Sequence, residues 1–303
     1  MLAFRISGGL ISTLLAFCGL FASACRAEDK QMPPIKVDIL QKGVSTSKVL
    51  EQALADLPLD QLPADSRQRV ETVLKNRSLF RRLPTIGMGA DPAVYHYFTH
   101  NPEAAVGVWR VMEISQFKLT PVSPTLWKGD AGDGSNGTIE VLHRSGNRQL
   151  LLCEGEYKSP VLPKAIKAQA IMHLRMDHAE KAGDKVQGHH NIVHDLDLFV
   201  TFPSQTVETV AKVIAPVSNS IADKNFRELS MFVEFMSTAM KTHPGWVEQV
   251  VQRMDGVKTD QKDEFLKVSA AVFVASRRNE LQQSGIQNAS FEDLIAPYQG
   301  SKR

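Results

Sequence analysis

Five histidines crowd one stretch of the chain, His173, His178, His189, His190 and His194, and the carboxylates Asp195 and Asp197 follow directly. Imidazole and carboxylate are ligands of zinc and its neighbours, and a site that keeps one position open can activate water for hydrolysis. His173, His189, His190, His194 and Asp195 are therefore the candidate metal ligands. Their spacing argues against such a site: no HExxH or C-x-x-C run occurs, and His178 to His190 falls in a glycine-containing link between two alternating stretches. Those stretches offer a structural role instead. Paired as an antiparallel hairpin with an even register sum, they place His173 opposite Asp195, or Arg175 opposite Asp197. Exposed cross-strand pairs of this kind contribute roughly 0.2–1 kcal/mol each. The structural role is the expectation, and no catalytic residue, metal or cofactor is assigned.

Other chemistry is sparse. No G-x-S-x-G, S-x-x-K or Walker A motif is present, and Cys153, inside the apolar run from Leu150, reads as a buried small hydrophobe. The acidic segment Asp130 to Asn136 lacks the ligand spacing of a calcium loop and reads as a hairpin turn. Glu228 stands out because it interrupts the apolar half of a helical pattern near Phe232 and Phe235. A carboxylate there must be paired, reach an edge or line a cavity, where it could orient an apolar ligand.

The elements that position these residues follow from periodicity. Ala168, Ala170, Met172, Leu174 and Met176 alternate with Lys167, Gln169, His173, Arg175 and Asp177, and Leu196, Leu198, Val200 and Phe202 alternate with Asp195, Asp197 and Thr201. Both patterns are half-buried strands. Upstream candidates are Gln116 to Pro121, Thr125 to Lys128, Gly137 to His143 and Gln149 to Tyr157. From Ile221 to Lys241 the period becomes helical. Phe226, Leu229, Phe232, Val233, Phe235, Met236, Ala239 and Met240 cover about half the circumference, wider than the ~100° stripe of an ordinary surface helix. Further helices are predicted over Lys48 to Leu57, Ala64 to Leu79, Pro92 to His100, Pro102 to Met112, Pro244 to Gly256 and Asp260 to Gln283, with a break in the long helix at Pro216 and a short tail element over Ser290 to Tyr298. Asp91-Pro92 and Asn101-Pro102 supply an N-cap followed by proline at the first helical position. The fold class expected is α+β: an antiparallel sheet of about six strands gripping a long C-terminal helix, with extra helices at both ends.

Leu83-Pro84-Thr85, Asp91 to Phe98, Val106 to Met112, Glu154-Gly155-Glu156-Tyr157 and Leu196 to Val200 together resemble a family of uncharacterised secreted proteins of planctomycete-type bacteria. The resemblance spans roughly Leu83 to Asp255 and implies no catalytic residue, because that family has no established activity. The order of strands followed by a long helix is similar, more distantly, to START-like (polyketide-cyclase/Bet v 1 type) helix-grip proteins, which implies an apolar ligand. Fold analogy alone does not establish function.

Composition narrows the rest. With 43% hydrophobic and 22% charged residues in 303, the chain is an ordinary globular protein. Arg5, the apolar run Leu10 to Phe21 and the small residues up to Ala27 read as a signal peptide, so export to the periplasm or beyond is expected. Ala22-Ser23-Ala24-Cys25 also resembles a lipoprotein cleavage box, which keeps a lipid anchor on Cys25 as an alternative. Without residues 1–27, 33 Lys and Arg balance 33 Asp and Glu, which gives no reason to expect a nucleic-acid partner. The organisation read from this is a signal at 1–27, a linker and helical segment at 28–82, a helix-grip-like core at 83–243 and a helical extension at 244–303. The function expected is non-catalytic binding of an apolar small molecule or lipid, lined by Met172, Leu174, Leu196, Leu198, Phe226, Glu228, Leu229, Phe232 and Met236. Phe232, as pocket lining, should tolerate truncation to Ala at about half the 3–5 kcal/mol of a solid core. Alternatives are an envelope interaction protein with a solid core, and a metal-dependent hydrolase built on the histidine stretch.

Overall fold

Alternation in the two central strands places apolar side chains on both faces of the sheet, and the rest of the chain is arranged to cover both. The computed structural model describes residues 35–158, 165–178, 191–203, 205–290 and 292–294, with only the helical backbone for 205–218. The signal peptide, Cys25, His189, His190 and most of the tail element lie outside the described residues. In chain order the elements are β1 (Asp38–Gln41), α1 (Ser47–Ala55), α2 (Ala64–Lys75), β2 (Leu79–Arg82), β3 (Thr85–Met88), α3 (Pro92–His100) and α4 (Pro102–Val111). Then come β4 (Lys118–Ser123), β5 (Leu126–Asp130), β6 (Ser135–Ser145), β7 (Arg148–Tyr157), β8 (Ile166–His178) and β9 (Ile192–Thr201). The chain continues through α5 (Gln205–Thr242), α6 (Pro244–Arg253) and α7 (Thr259–Gln283). The fold is α+β, an antiparallel sheet packed against C-terminal helices.

The sheet has nine strands rather than about six, in the order β1-β3-β9-β8-β7-β6-β5-β4, with β2 also pairing β9. The three that sequence reasoning missed are four residues each, too short to display a period of two. β2 and β3 run along the same partner, Leu79 opposite Val200 and Met88 opposite Ile192, and the Leu83 amide bonds to the Leu196 carbonyl at 2.8 Å between them. Leu83-Pro84 therefore joins two strands along β9, and α2 stops at Lys75 instead of reaching Leu79. From β4 to β9 the sheet is a meander, and the last strand returns beside β3, so α3 and α4 cross from one edge to the other.

α3 begins where expected: the Asp91 side chain accepts a hydrogen bond from the Ala93 amide at 2.8 Å, ahead of Pro92. Asn101 instead turns back to donate to the Tyr97 carbonyl, so it closes α3 without capping α4 by its side chain. α5 is one continuous helix, uninterrupted at Pro216; proline removes one backbone bond and can be carried within a helix at a cost in energy. Its central part is pinned to the sheet edge by Arg81, whose guanidinium pairs with both oxygens of Asp223. Among the described residues no helix is long and apolar enough to cross a membrane.

The breadth of the apolar arc on α5 has a packing cause. One part meets the sheet through Ala222, Phe226 and Leu229. Another meets the helical layer: Phe232 packs edge-on against Phe98 of α3 and Trp109 of α4, with ring centroids 5.1 and 5.4 Å away, and Phe235 packs against Trp246 of α6. A helix sandwiched between a sheet and other helices needs two apolar stripes. A smaller core fills the opposite face of the sheet, where Leu150, Leu152, Ile171 and Phe199 meet Ala53, Leu57, Val70, Val73 and Leu74 of the α1–α2 region.

Candidate functional site

Between the sheet and α3, α4 and α5 lies a cavity of about 160 Å³. Its floor is the even-numbered side of β8 and β9, with Met172, Leu174, Leu196 and Leu198. β6 and β7 add Ile139, Val141 and Leu151, β5 adds Trp127, and the roof is Phe98, Ala105, Ala222, Phe226, Leu229, Phe232 and Val233. Thr99, Pro102, Leu151, Leu174 and Leu229 in this wall are each partly exposed, so the cavity reaches the surface.

Seven of the nine residues expected from sequence to line a pocket are in this wall: Met172, Leu174, Leu196, Leu198, Phe226, Leu229 and Phe232. Glu228 and Met236 are not. Met236 is fully buried among the helices. Glu228 lies a helical quarter-turn from Leu229, on the flank of α5, where its Oε1 is 3.7 Å from Lys224 Nζ. It does not reach the cavity, because the second apolar stripe on α5 made the arc look like one face and put Glu228 inside it.

Among the polar side chains in the wall is His194, beside Leu196 and on the same strand face. Its ring is 4% exposed, stacks on Phe226 with centroids 4.5 Å apart, and is held at both nitrogens. Ser230 Oγ donates to the Phe226 carbonyl at 2.8 Å and lies 2.8 Å from His194 Nε2, so it must accept there and Nε2 carries the proton. Tyr95 Oη, 3.0 Å from Nδ1, then donates to the bare nitrogen. Burial pushes the His194 pKa down to about 3 and raises that of Tyr95, so both are neutral near pH 7. The Ser–His contact is no nucleophile pair: Ser230 is absent from the cavity wall and its proton is committed to the helix. The chain Tyr95–His194–Ser230 gives the cavity a polar spot with no charge. Sequence parity could have found it, since His194 shares its face with Leu196 and Leu198, as Gln149 does with Leu151.

His173 and Asp195 sit on the other face, so the structure does not bring the described metal candidates together. Among the described residues no group of three or more potential ligands is placed to hold a metal ion. The hairpin register has the even sum expected but is shifted by one pair, His173 opposite Asp197 and Arg175 opposite Asp195. Nor are these pairs exposed, because α1, α2 and the turn after α1 cover them. Asp197, fully buried, accepts from Arg82 Nε at 2.7 Å, from Arg82 Nη2 at 2.8 Å and from Arg175 Nη1 at 2.6 Å, while Arg175 Nε bonds Asp195 at 2.7 Å. Burial alone would raise the Asp197 carboxyl, but the hydrogen bonds from both arginines outweigh it and hold it below its ordinary value. Asp195 goes the other way, burial prevailing over Arg175. His173 is fully buried with neither ring nitrogen bonded among the described residues, and burial followed by the Arg175 charge lowers its pKa to about 4. Cys153 is buried against the front core, and burial raises its thiol to about 12, which leaves it protonated and unreactive.

No family model matches the chain, and neither curated proteins nor solved structures give a match.

Proposed function

We propose that the protein is an exported, non-catalytic carrier of a small apolar molecule or of one chain of a lipid, held between the sheet and α5. The observation that carries this reading is the cavity itself. Close-packed interiors leave few voids larger than a water molecule, whereas this one measures about 160 Å³. Its wall is almost wholly aliphatic and aromatic, and the His194 ring in it already has both nitrogens bonded. An apolar cavity of roughly 150 Å³ stays dry and admits benzene, while drug-sized ligands occupy about 300–1,000 Å³. A single ring or short alkyl chain therefore fits better than a whole membrane lipid. The sheet-and-long-helix arrangement is loosely helix-grip-like, which supports the START-like analogy, and the amino-terminal pattern supports export.

Titration with 1-octanol or benzene, followed by amide and methyl NMR, tests the reading. Saturable shifts at Leu196, Leu198 and Phe226 together with a raised melting temperature are expected, as for any ligand that binds only the folded state. A solid-core scaffold would give neither.

A further inference from the structure

Besides Tyr95, Thr99, His194 and Asn225, the cavity wall holds one primary amide on the sheet, Gln149, and the sheet sets a cation beside it. Arg144 of β6 is the register partner of Gln149 of β7, and Gln149 stands in the cavity wall, 8% exposed. Among the described residues no group hydrogen-bonds to the Gln149 amide. Arg144 lies across the same face towards α3, where its Nη2 donates to the Thr99 carbonyl at 3.3 Å, and Thr99 is itself part of the wall. The last turn of α3 thus engages one guanidinium donor of the five. Arg144 Nε is buried and unbonded, and no carboxylate among the described residues pairs with this side chain. Burial lowers the Arg144 pKa with no acidic group opposing it. Three other partly buried arginines, Arg81, Arg82 and Arg175, each face at least one aspartate.

We propose that Arg144 and Gln149 receive the carboxylate of a small amphipathic acid whose apolar body fills the cavity. This rests on the carrier reading and adds the head-group chemistry to it. A guanidinium and a primary amide both donate to a carboxylate, and a guanidinium matches its two oxygens. Without them an apolar cavity rejects a carboxylate, because stripping water from the charge goes uncompensated. The cavity size sets the body at a ring or a chain of roughly six to eight carbons. A fatty acid and an aryl-alkanoic acid share that chemistry.

Calorimetric titration of the full chain with octanoate, 3-phenylpropanoate, 1-octanol and octylamine tests it. Octanoate is expected to bind about tenfold tighter than 1-octanol, and octylamine weaker than either. A stronger response to 3-phenylpropanoate than to octanoate supports an aryl acid, and the reverse a fatty acid. Arg144→Gln should abolish the preference for octanoate while 1-octanol still binds, and Gln149→Leu should reduce it. The wild-type comparison decides the matter even if Arg144→Gln does not fold. If 1-octanol binds as tightly as octanoate, the head-group proposal is wrong and the carrier reading stands. If none of the four binds, both are wrong.

Discussion

β8 and β9 serve two interiors that are built in opposite ways. On the even-numbered face Met172, Leu174, Leu196 and Leu198 look into a space that the helices above do not fill, and the polar ring there is neutral and bonded at both nitrogens. On the odd-numbered face Ile171 and Phe199 are packed under α1 and α2 beside a charged lattice of Arg82, Arg175, Asp195 and Asp197. The same strands, read at alternate residues, give one face sealed by ion pairs and another left open. The front-face cavity is walled by apolar side chains, whereas the hollow on the other face, beside Thr138, Glu154, Lys167 and Gln169, is an open groove with polar walls. That difference is the physical argument for placing function on the front face, and it can be attacked from either side.

The largest effect is expected behind the sheet. Asp197→Ala leaves two arginines without their shared buried acceptor, a loss of roughly 3–5 kcal/mol in denaturant melts. Under conditions where the variant is still folded, 1-octanol affinity should stay within about twofold of wild type, since stability and binding reside on opposite faces. Parallel loss of binding would show that the faces are not independent.

Next is Phe232→Ala. The sequence suggested a half-sized cost, but the ring is fully buried and wedged between Phe98 and Trp109 as well as bordering the cavity. About 3 kcal/mol is expected, as for a core phenylalanine, with a larger cavity that accepts a longer chain. A cost near 1 kcal/mol would mean that the helical layer is less tightly packed than these contacts indicate.

Acid should act on both faces. The folded pKa values of His173 (about 4) and His194 (about 3) lie below the ordinary histidine value near 6.5. In that window the unfolded chain binds more protons than the folded one. The stability they contribute is therefore present above pH 6.5 and is lost as pH falls through the window towards 3 to 4. Each histidine contributes a slope of at most about 1.4 kcal/mol per pH unit. Urea melts at pH 7 and pH 5 check the sign, and His173→Leu should flatten the dependence. Stability that holds or rises between pH 7 and 5 would contradict the burial of both rings.

Much of this architecture was written in side-chain periodicity. Long strands and helices announce themselves, because eight or more residues repeat the pattern, and so β8, β9 and the helices α3, α4, α6 and α7 fall close to their expected limits, whereas α5 starts at Gln205 and runs through the break expected at Pro216. β1, β2 and β3 do not, since four residues carry too little pattern and their pairing with β9 or with one another is set by tertiary contact. The floor of the cavity was legible for the same reason as the strands. Glu228 was misplaced because a helical wheel shows how wide an apolar arc is, but not whether it meets one surface or two. The charged lattice was misread as exposed because a strand pattern marks polar residues without showing that α1 and α2 lie over them. Parity alone put His194 among the leucines of β9, yet the proximity of other histidines and Asp195 drew attention to metal chemistry instead.

The smallest expected change in stability is also the most direct test of the open front face. Ala222 of α5 is buried in the cavity wall, so Ala222→Leu adds three carbons where the structure has room for them. In a close-packed core such overpacking costs roughly 1–3 kcal/mol, whereas filling a real cavity commonly adds about 0.5–2 kcal/mol. Denaturant melts of this variant should show stability equal to or above wild type, with 1-octanol binding lost. A destabilisation of full overpacking size, with ligand response unchanged, would contradict the cavity and the function proposed for it.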